Sequence, residues 1–264
     1  MTYKKKPRRI KRKKPFFKRK FFYFFIFILF LSGVAFYFLF FFPYFQIKNI
    51  EISGNQKINA DNLKATVKNS IEKKIGVLTT KNIFLINNKK LSNKILNNEF
   101  LISNIRIKKK LPETLFIEIK EREPVGTFCQ EEKCFYFDNT GMFFEEGKDI
   151  IKPLVKDENY YSDLGLGKNI LKTEEILKIL EINNKIKNNF KIEIKNFIIS
   201  SDKEKLIVET EEGWKIFFDL NQDISEKIYN LELVLKEKIP AEQRKNLDYI
   251  DLRFKRVYYR FLSN

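Results

Sequence analysis

Residues 21–42 read FFYFFIFILFLSGVAFYFLFFF, an apolar run of 22 residues without a charged side chain. As a helix rising about 1.5 Å per residue, this run would be about 33 Å long, enough to cross a bilayer core about 30 Å thick. Its Phe, Leu, Ile and Val residues favour insertion by at most about 5–10 kcal/mol. A buried core helix is one alternative, but 22 residues that are apolar on all faces argue against it. We therefore predict a single transmembrane helix over residues 21–42.

A cleaved signal peptide is the main alternative for this segment. Its apolar part is usually about 7–15 residues long and ends at small residues. Here the run is longer, and it continues into the bulky residues 42–45, Phe-Pro-Tyr-Phe. An uncleaved anchor is therefore favoured.

The 20 residues before the run carry 12 Lys or Arg and no acidic residue. Positive charge beside a first membrane helix stays in the cytoplasm, so the residues after Phe42 are expected on the far side of the membrane. The tail also carries most of the net charge of +17. We expect it to bind anionic lipid at about 1 kcal/mol per basic residue, with nucleic acid as the less favoured partner. No nucleic-acid partner is expected for the rest of the chain.

Composition argues against most catalytic chemistry. The chain has no histidine, so it lacks the usual general base and most zinc ligand sets. It has only 9 glycines, and no Gly-rich phosphate loop occurs. We predict no catalytic, cofactor-binding or metal site.

Cys129 and Cys134 are the only cysteines of the chain and flank four polar residues. Facing positions across a hairpin come within disulfide reach, and an oxidising compartment permits the bond. A disulfide is favoured over two free thiols. A catalytic redox pair is disfavoured, because that chemistry normally uses a two-residue spacer at a helix start.

Apolar periodicity predicts the elements of the far side. Up to about residue 124 they form a β-α-α-β-β series: strand 45–52 with a bulge between Ile47 and Ile50, helices 59–74 and 89–98, and strands 102–108 and 115–121. The second half contains more strands: a hairpin over 135–143, a helix over 173–187, strands over 190–199, 206–210 and 214–220, a helix to about 238, and a closing segment over 247–261. Thr173 and Asp223 are the predicted helix caps, and Leu177 is placed on the buried side of its helix.

Several local sequences occur in the order typical of one family. They are Ile-Glu-Ile-Ser-Gly-Asn at 50–55, Leu-Pro-Glu-Thr-Leu-Phe-Ile-Glu-Ile at 111–119, Glu-Arg-Glu-Pro-Val at 121–125 and Tyr-Ile-Asp-Leu-Arg at 249–253. Together they resemble the FtsQ/DivIB family of bacterial cell-division proteins, over about residues 1–262. The cysteine pair is a departure from that family's pattern.

The resemblance implies an α+β fold with a POTRA domain followed by a mostly antiparallel β domain that holds two helices. The expected boundaries are a cytoplasmic tail at 1–20, the transmembrane helix at 21–42, the POTRA domain at 44–124 and the FtsQ-type β domain at 125–264.

The closing segment carries the predicted binding site. Ile250, Leu252 and Phe254 share one face, and the apolar phase shifts by one residue at Val257. This shift predicts a bulge or tight turn near Lys255 and a last strand at a sheet edge, where a strand of another chain can add. A core strand packed against the preceding helix is the alternative.

In the resembled family this end of the β domain binds FtsB, which is held together with FtsL. The resemblance therefore implies partner-binding roles for Tyr249, Asp251, Arg253, Phe254, Val257, Tyr258, Tyr259 and Phe261.

The implied function is a non-enzymatic scaffold at the division septum, in the inner (plasma) membrane, that links early division proteins to septal peptidoglycan synthesis. Two other functions stay open: a membrane-tethered envelope enzyme and a POTRA-type docking protein of a secretion system. The enzyme would need paired carboxylates, for which Asp138 and Asp251 are candidates. The secretion protein would need repeated membrane strands, and none are recognisable after residue 125.

Overall fold

The structure is a computed structural model that describes residues 20–75, 78–201 and 204–262, without the side chains of residues 75 and 78. Helix α1 spans Lys20–Phe41, one residue earlier than predicted, and none of its residues is buried. Within the described residues, α1 is the one helix long and apolar enough to cross a membrane. The basic tail is predicted at residues 1–20, of which residues 1–19 lie outside the described residues.

The chain divides into two compact units. Of the described residues, the first unit holds those within Met1–Ser53, Ala60–Ser92 and Arg106–Glu118, and the second those within Gly54–Asn59, Asn93–Ile105 and Ile119–Asn264. The predicted domain boundary at residue 124 stays a prediction.

The predicted β-α-α-β-β series follows α1, with a small hairpin inserted after its first helix. The elements are β1 Asn49–Ser53, α2 Ala60–Ile71, β2 Lys73–Ile75, β3 Leu78–Thr80, α3 Asn88–Asn98, β4 Ile102–Lys110 and β5 Thr114–Glu121. The sheet order is β1-β5-β4, with β1 parallel to β5, whereas β2 and β3 pair only with each other among the described residues.

One apolar stripe on each element explains this part of the fold. Leu63, Val67 and Ile71 repeat at every fourth residue of α2 and are buried. On β5, Leu115 and Ile117 alternate with more exposed residues and are buried as well.

One prediction for this region is wrong, and one element was missed. The first strand begins at Asn49 and not at Phe45, because Pro43–Phe45 forms a 3-10 turn directly after α1. The hairpin β2–β3 was missed, since strands of three residues are too short to show an apolar period.

The rest of the chain builds a nine-stranded mixed sheet with two helices. Its elements are β6 Gly126–Gln130, β7 Lys133–Phe137, β8 Phe143–Glu146, β9 Leu154–Asp157, α4 Thr173–Phe190, β10 Ile194–Ile199, β11 Lys205–Thr210, β12 Lys215–Asp219, α5 Ile224–Glu237, β13 Leu247–Asp251 and β14 Tyr258–Phe261. The strand order is β14-β13-β12-β11-β10-β9-β6-β7-β8. The predicted α+β class is confirmed, and three of the joins are parallel: β12–β13, β9–β10 and β6–β9.

One apolar core lies between the sheet and the inner faces of α4 and α5. Its large, fully buried side chains include Phe197 of β10, Phe218 of β12 and Trp214, which directly precedes β12. The helices contribute residues such as Ile176 of α4 and Leu231 of α5.

The predicted start of α5 is confirmed, because the Asp223 side chain accepts a hydrogen bond from the Ser225 N–H. Two details of α4 are wrong. Thr173 is the first helical residue and not the cap, since the Glu175 carboxylate accepts from the N–H of Lys172. Leu177 is 55% exposed, because Ile176 and not Leu177 faces the core.

Candidate partner-binding edge

The last strand, β14, lies at the end of the nine-stranded sheet. It pairs antiparallel with β13, with Tyr259 opposite Ile250 and Tyr258 opposite Asp251. No other strand of the described chain pairs with its second side. All four of its residues are exposed, which leaves its outer backbone groups open for pairing with another chain.

One face of β14 continues the core face of the sheet. Opposite residues of an antiparallel pair share a face, and the partners of Tyr259 and Phe261 are the core residues Ile250 and Leu247. The rings of Tyr259 and Phe261 lie 5.9 Å apart, centroid to centroid. Both rings remain about two-fifths exposed, at 42% and 37%. The core face of the sheet therefore ends in two partly exposed aromatic side chains, Tyr259 and Phe261.

The opposite face of the edge carries cations stacked on rings. Arg260 lies 5.0 Å above the Tyr249 ring, and the Phe217 ring is 5.4 Å from Tyr249. Arg260 also bonds the Asp248 carboxylate through Nε at 2.7 Å, and this hydrogen bond raises the pKa of Arg260. Planar guanidinium groups favour such stacks on aromatic rings.

A bend over residues 252–257 joins β13 to β14 and is fixed by one ion pair. Arg253 donates from Nε and Nη2 to the two oxygens of Asp251, at 2.9 and 2.6 Å. The backbone N–H of Arg253 donates to the same carboxylate at 3.1 Å. Asp251 is buried, and two parallel charge-assisted bonds hold the bend in one shape.

Two side chains from outside the bend hold its carbonyl oxygens. Gln222 donates to the carbonyl of Arg253 at 2.7 Å, and Lys227 of α5 donates to the carbonyl of Phe254 at 2.9 Å. Lys227 is only 5% exposed. Both residues were missed by the sequence analysis. Lys227 could have been noticed, because a lysine next to Ile228 interrupts the apolar face of α5 and therefore needs a buried hydrogen-bond acceptor.

The structure brings the predicted partner-binding residues together around the bend and β14, but with unequal access. Phe254, Tyr258, Tyr259 and Phe261 are exposed, and the Phe254 and Tyr258 rings meet edge to face at 5.7 Å. Tyr249, Arg253 and Val257 are half-buried, and Asp251 is buried. Phe254 does not continue the inner face of the strand as predicted, because β13 ends at Asp251. Leu262, which is 58% exposed, extends the site beyond the predicted set.

The cysteine pair lies in the hairpin of β6 and β7. Cys129 and Cys134 are opposite one another in the register, with Cα atoms 4.2 Å apart, and their sulfurs form a disulfide. The bond closes the two-residue turn of the hairpin.

The two carboxylates that an enzyme would use are engaged in structural hydrogen bonds. Asp138 Oδ1 accepts from the N–H and hydroxyl of Thr140 at 2.9 and 2.6 Å, and its Oδ2 pairs with Arg122. Burial raises the pKa of Asp138, but the bonds from Thr140 and Arg122 outweigh burial and lower it. Asp251 is bonded to Arg253 in the same manner. Within the described residues, no cluster of three or more Cys, Asp or Glu side chains could hold a metal ion.

A second sheet edge lies in the first unit. Strand β1 ends the order β1-β5-β4, and a groove of about 510 Å³ runs between it and α2. Its lining includes Ile50 on the strand side and Lys64, Ala65 and Lys68 on the helix side.

Comparison with known proteins agrees with this architecture. Residues 45–122 match the model of the FtsQ-type POTRA domain. The chain is 37% identical to the cell division protein DivIB of Clostridium acetobutylicum over 41% of this chain and 40% of the relative. It is 31% identical to DivIB of Clostridium tetani over 58% of this chain and 57% of the relative. With the cell division protein FtsQ of Rickettsia bellii it shares 27% identity over 48% and 42% of the two chains.

The structure thus defines a POTRA-bearing protein with one N-terminal helix long and apolar enough to cross a membrane and a mixed sheet with an open last strand. Within that class, the chain carries an FtsQ-type POTRA domain and has homologues named cell division protein DivIB and FtsQ. The chain spans between 40% and 57% of the length of the DivIB relatives described above.

Proposed function

We propose that this protein is a non-enzymatic, membrane-anchored scaffold of the bacterial division machinery. In this proposal β14 takes up a strand from a second division protein of the FtsB type, which is itself bound to one of the FtsL type. The observation that carries the proposal is the open edge of β14, where backbone groups and the uncovered rings of Tyr259 and Phe261 lie side by side.

Strand addition suits this edge for two physical reasons. Main-chain hydrogen bonds to an added strand supply affinity, and alternate side chains supply specificity. The added strand would cover Tyr259 and Phe261 on one face, and aromatic residues are enriched among those that dominate binding energy. Because the bend is already fixed by Arg253, Gln222 and Lys227, little ordering is left to oppose binding.

The anchor gives the proposal its place in the cell. With α1 in the inner (plasma) membrane and the basic tail in the cytoplasm at anionic lipid, both folded domains lie outside the cytoplasm. We place the POTRA domain at 44–124 and the β domain at 125–264. At the division septum these domains would connect early division proteins to peptidoglycan synthesis. The groove beside β1 gives the POTRA domain a second docking edge in this scheme.

The enzymatic alternative has less support. Its candidate carboxylates, Asp138 and Asp251, each hold an arginine and form hydrogen bonds that stabilise turns. A general acid needs a raised pKa, whereas the pKa of Asp138 is lowered. The secretion alternative has no observation in its favour among the described residues.

The function is tested by locating the full chain in dividing cells with a fluorescent protein fused to its N-terminus, on the cytoplasmic side of the proposed anchor. We expect a fluorescent band at mid-cell that appears before constriction. A uniform signal along the membrane, in cells where another division protein forms its band, would contradict the scaffold function.

A further inference from the structure

The C-terminal end of α1 is bound by side chains of the fold that follows it. The last carbonyl groups of a helix have no partner within the helix. Here Asn82 donates from Nδ2 to the carbonyls of Leu39 and Phe40 at 2.8 and 3.2 Å. Thr80 and Gln46 donate to the same Phe40 carbonyl at 3.0 and 3.1 Å. We call Gln46, Thr80 and Asn82 the clasp.

The clasp is part of a larger network. Thr80 and Asn82 are almost fully buried, at 2% and 1% exposure. Gln46 accepts from the N–H of Lys81 at 2.7 Å, and Asn82 accepts from the N–H of Phe84 at 2.8 Å, where it caps the 3-10 turn Ile83–Leu85. Because the clasp residues bond both to the end of α1 and to the backbone at residues 81 and 84, they fix the direction of α1 relative to the rest of the first unit.

An exposed aromatic face lies beside the clasp. We call Phe42, Tyr44, Phe45 and Phe84 the seating face. The Phe45 ring lies 5.3 Å from Phe84 and 5.2 Å from Tyr44. Phe42, Tyr44 and Phe84 are 45%, 55% and 42% exposed. Contiguous exposed rings of this kind mark an interaction surface and are typical of the boundary between hydrocarbon and headgroups.

Two lysines lie next to the seating face. Lys73 donates to the carbonyl of Leu85, and Lys109 donates to the carbonyl of Ile86 at 2.7 Å. Their ammonium groups thus approach neighbouring carbonyls. Burial and the nearby charge of Lys73 lower the pKa of Lys109. Lipid phosphates beside the aromatic rings would offset this repulsion between like charges.

We propose that the seating face rests in the outer headgroup layer of the same bilayer that α1 crosses, so that the first unit is held against the membrane in one orientation. The inference depends on the membrane anchoring proposed above. Continuity identifies the occupant, because Phe42 directly follows the last residue of a helix long enough to end at the membrane boundary. The clasp then keeps Phe84 beside that helix end.

Fluorescence quenching by lipid tests the proposal on the full chain in phosphatidylcholine–phosphatidylglycerol vesicles. Bromine atoms on the acyl chains close to the headgroups quench nearby tryptophan. The native Trp214 is fully buried and serves as an internal reference. We expect Phe84→Trp to add emission that the brominated lipid quenches at least twofold. Leu177→Trp, at an exposed site on α4, is the matched control and should not be quenched.

A third variant separates failure of this inference from failure of the anchor. Phe30→Trp, in the middle of α1, should be quenched by bromine placed deep in the acyl chains. If it is quenched while Phe84→Trp behaves like Leu177→Trp, the seating proposal is overturned and the anchor stands. If it is not quenched, both are overturned. Shielding of Phe84→Trp from aqueous iodide only after a partner protein is added would assign the face to that protein and also overturn the proposal.

Discussion

Glu121, at the end of β5, shows how one carboxylate orders a segment distant in sequence. Its oxygens accept from the backbone N–H groups of Gln56, Lys57 and Ile58, at distances from 2.7 to 3.1 Å. Burial raises its pKa, but these backbone bonds outweigh burial, and the pKa is lowered. This role could not be predicted from the sequence, since the partners lie more than 60 residues away.

Glu121→Gln should loosen residues 56–58. The variant keeps the shape of the side chain but loses charge-assisted bonds, at a cost of about 1–2 kcal/mol. The amides of residues 56–58 should therefore exchange with deuterium roughly 5 to 30 times faster at pH 7. Glu118→Gln on the same strand is the control, because Glu118 makes only an exposed ion pair with Arg106 at 3.6 Å.

The pH dependence of the stabilisation by Glu121 follows from the direction of its pKa shift. A lowered pKa in the folded state gives stability that is complete above the ordinary value of 4.5 and is lost as the pH falls through the lowered pKa. The difference between the parent and Glu121→Gln should therefore shrink below pH 4.5. Equal exchange of residues 56–58 in the two proteins at pH 7 would contradict the role given to Glu121.

At the scale of elements, the position of the bend before β14 could be predicted from the sequence, but the contacts that hold the bend could not. The phase shift at Val257 located the bend, because alternation along a strand reports which face each residue takes. What holds the bend was out of reach, since Lys227 and Gln222 bond to carbonyls 27 and 31 residues later. The hairpin β2–β3 was missed for a different reason, because its strands of three residues show no apolar period.

Replacing both inward rings of β14, Tyr259→Ser with Phe261→Ser, should weaken capture of an FtsB-type partner. Truncating anchor residues of this kind costs about 2 kcal/mol or more, so the dissociation constant should rise roughly 30-fold or more. The measurement is co-purification and titration with the full chain in detergent. Tyr229→Ser, at a 60% exposed position on α5, is the control and should bind like the parent. If the double variant and Tyr229→Ser lost the same affinity, or if neither lost any, the result would contradict a role for β14 in partner binding.

At the scale of the whole molecule, the order of the parts was predictable and the fine geometry was not. Local apolar patterns in the sequence predict the apolar run, the β-α-α-β-β series and the strand-rich second half. Such patterns can be recognised because they involve residues that are close together in the sequence. The clasp on α1 depends on Thr80 and Asn82, about 40 residues from the carbonyls that they bind. The accessibility of the candidate site was also not predictable, because Asp251, a predicted partner-binding residue, is buried and bonded to Arg253.

The central claim is that a partner adds a strand along β14. It is tested most directly by hydrogen–deuterium exchange of the full chain with and without the proposed FtsB-type partner. Amides of an open edge exchange quickly, and pairing slows them. We predict that residues 258–261 become strongly protected on binding while the exposed face of α5 is unchanged. Unchanged exchange across 258–261, with protection elsewhere in the chain, would contradict the account.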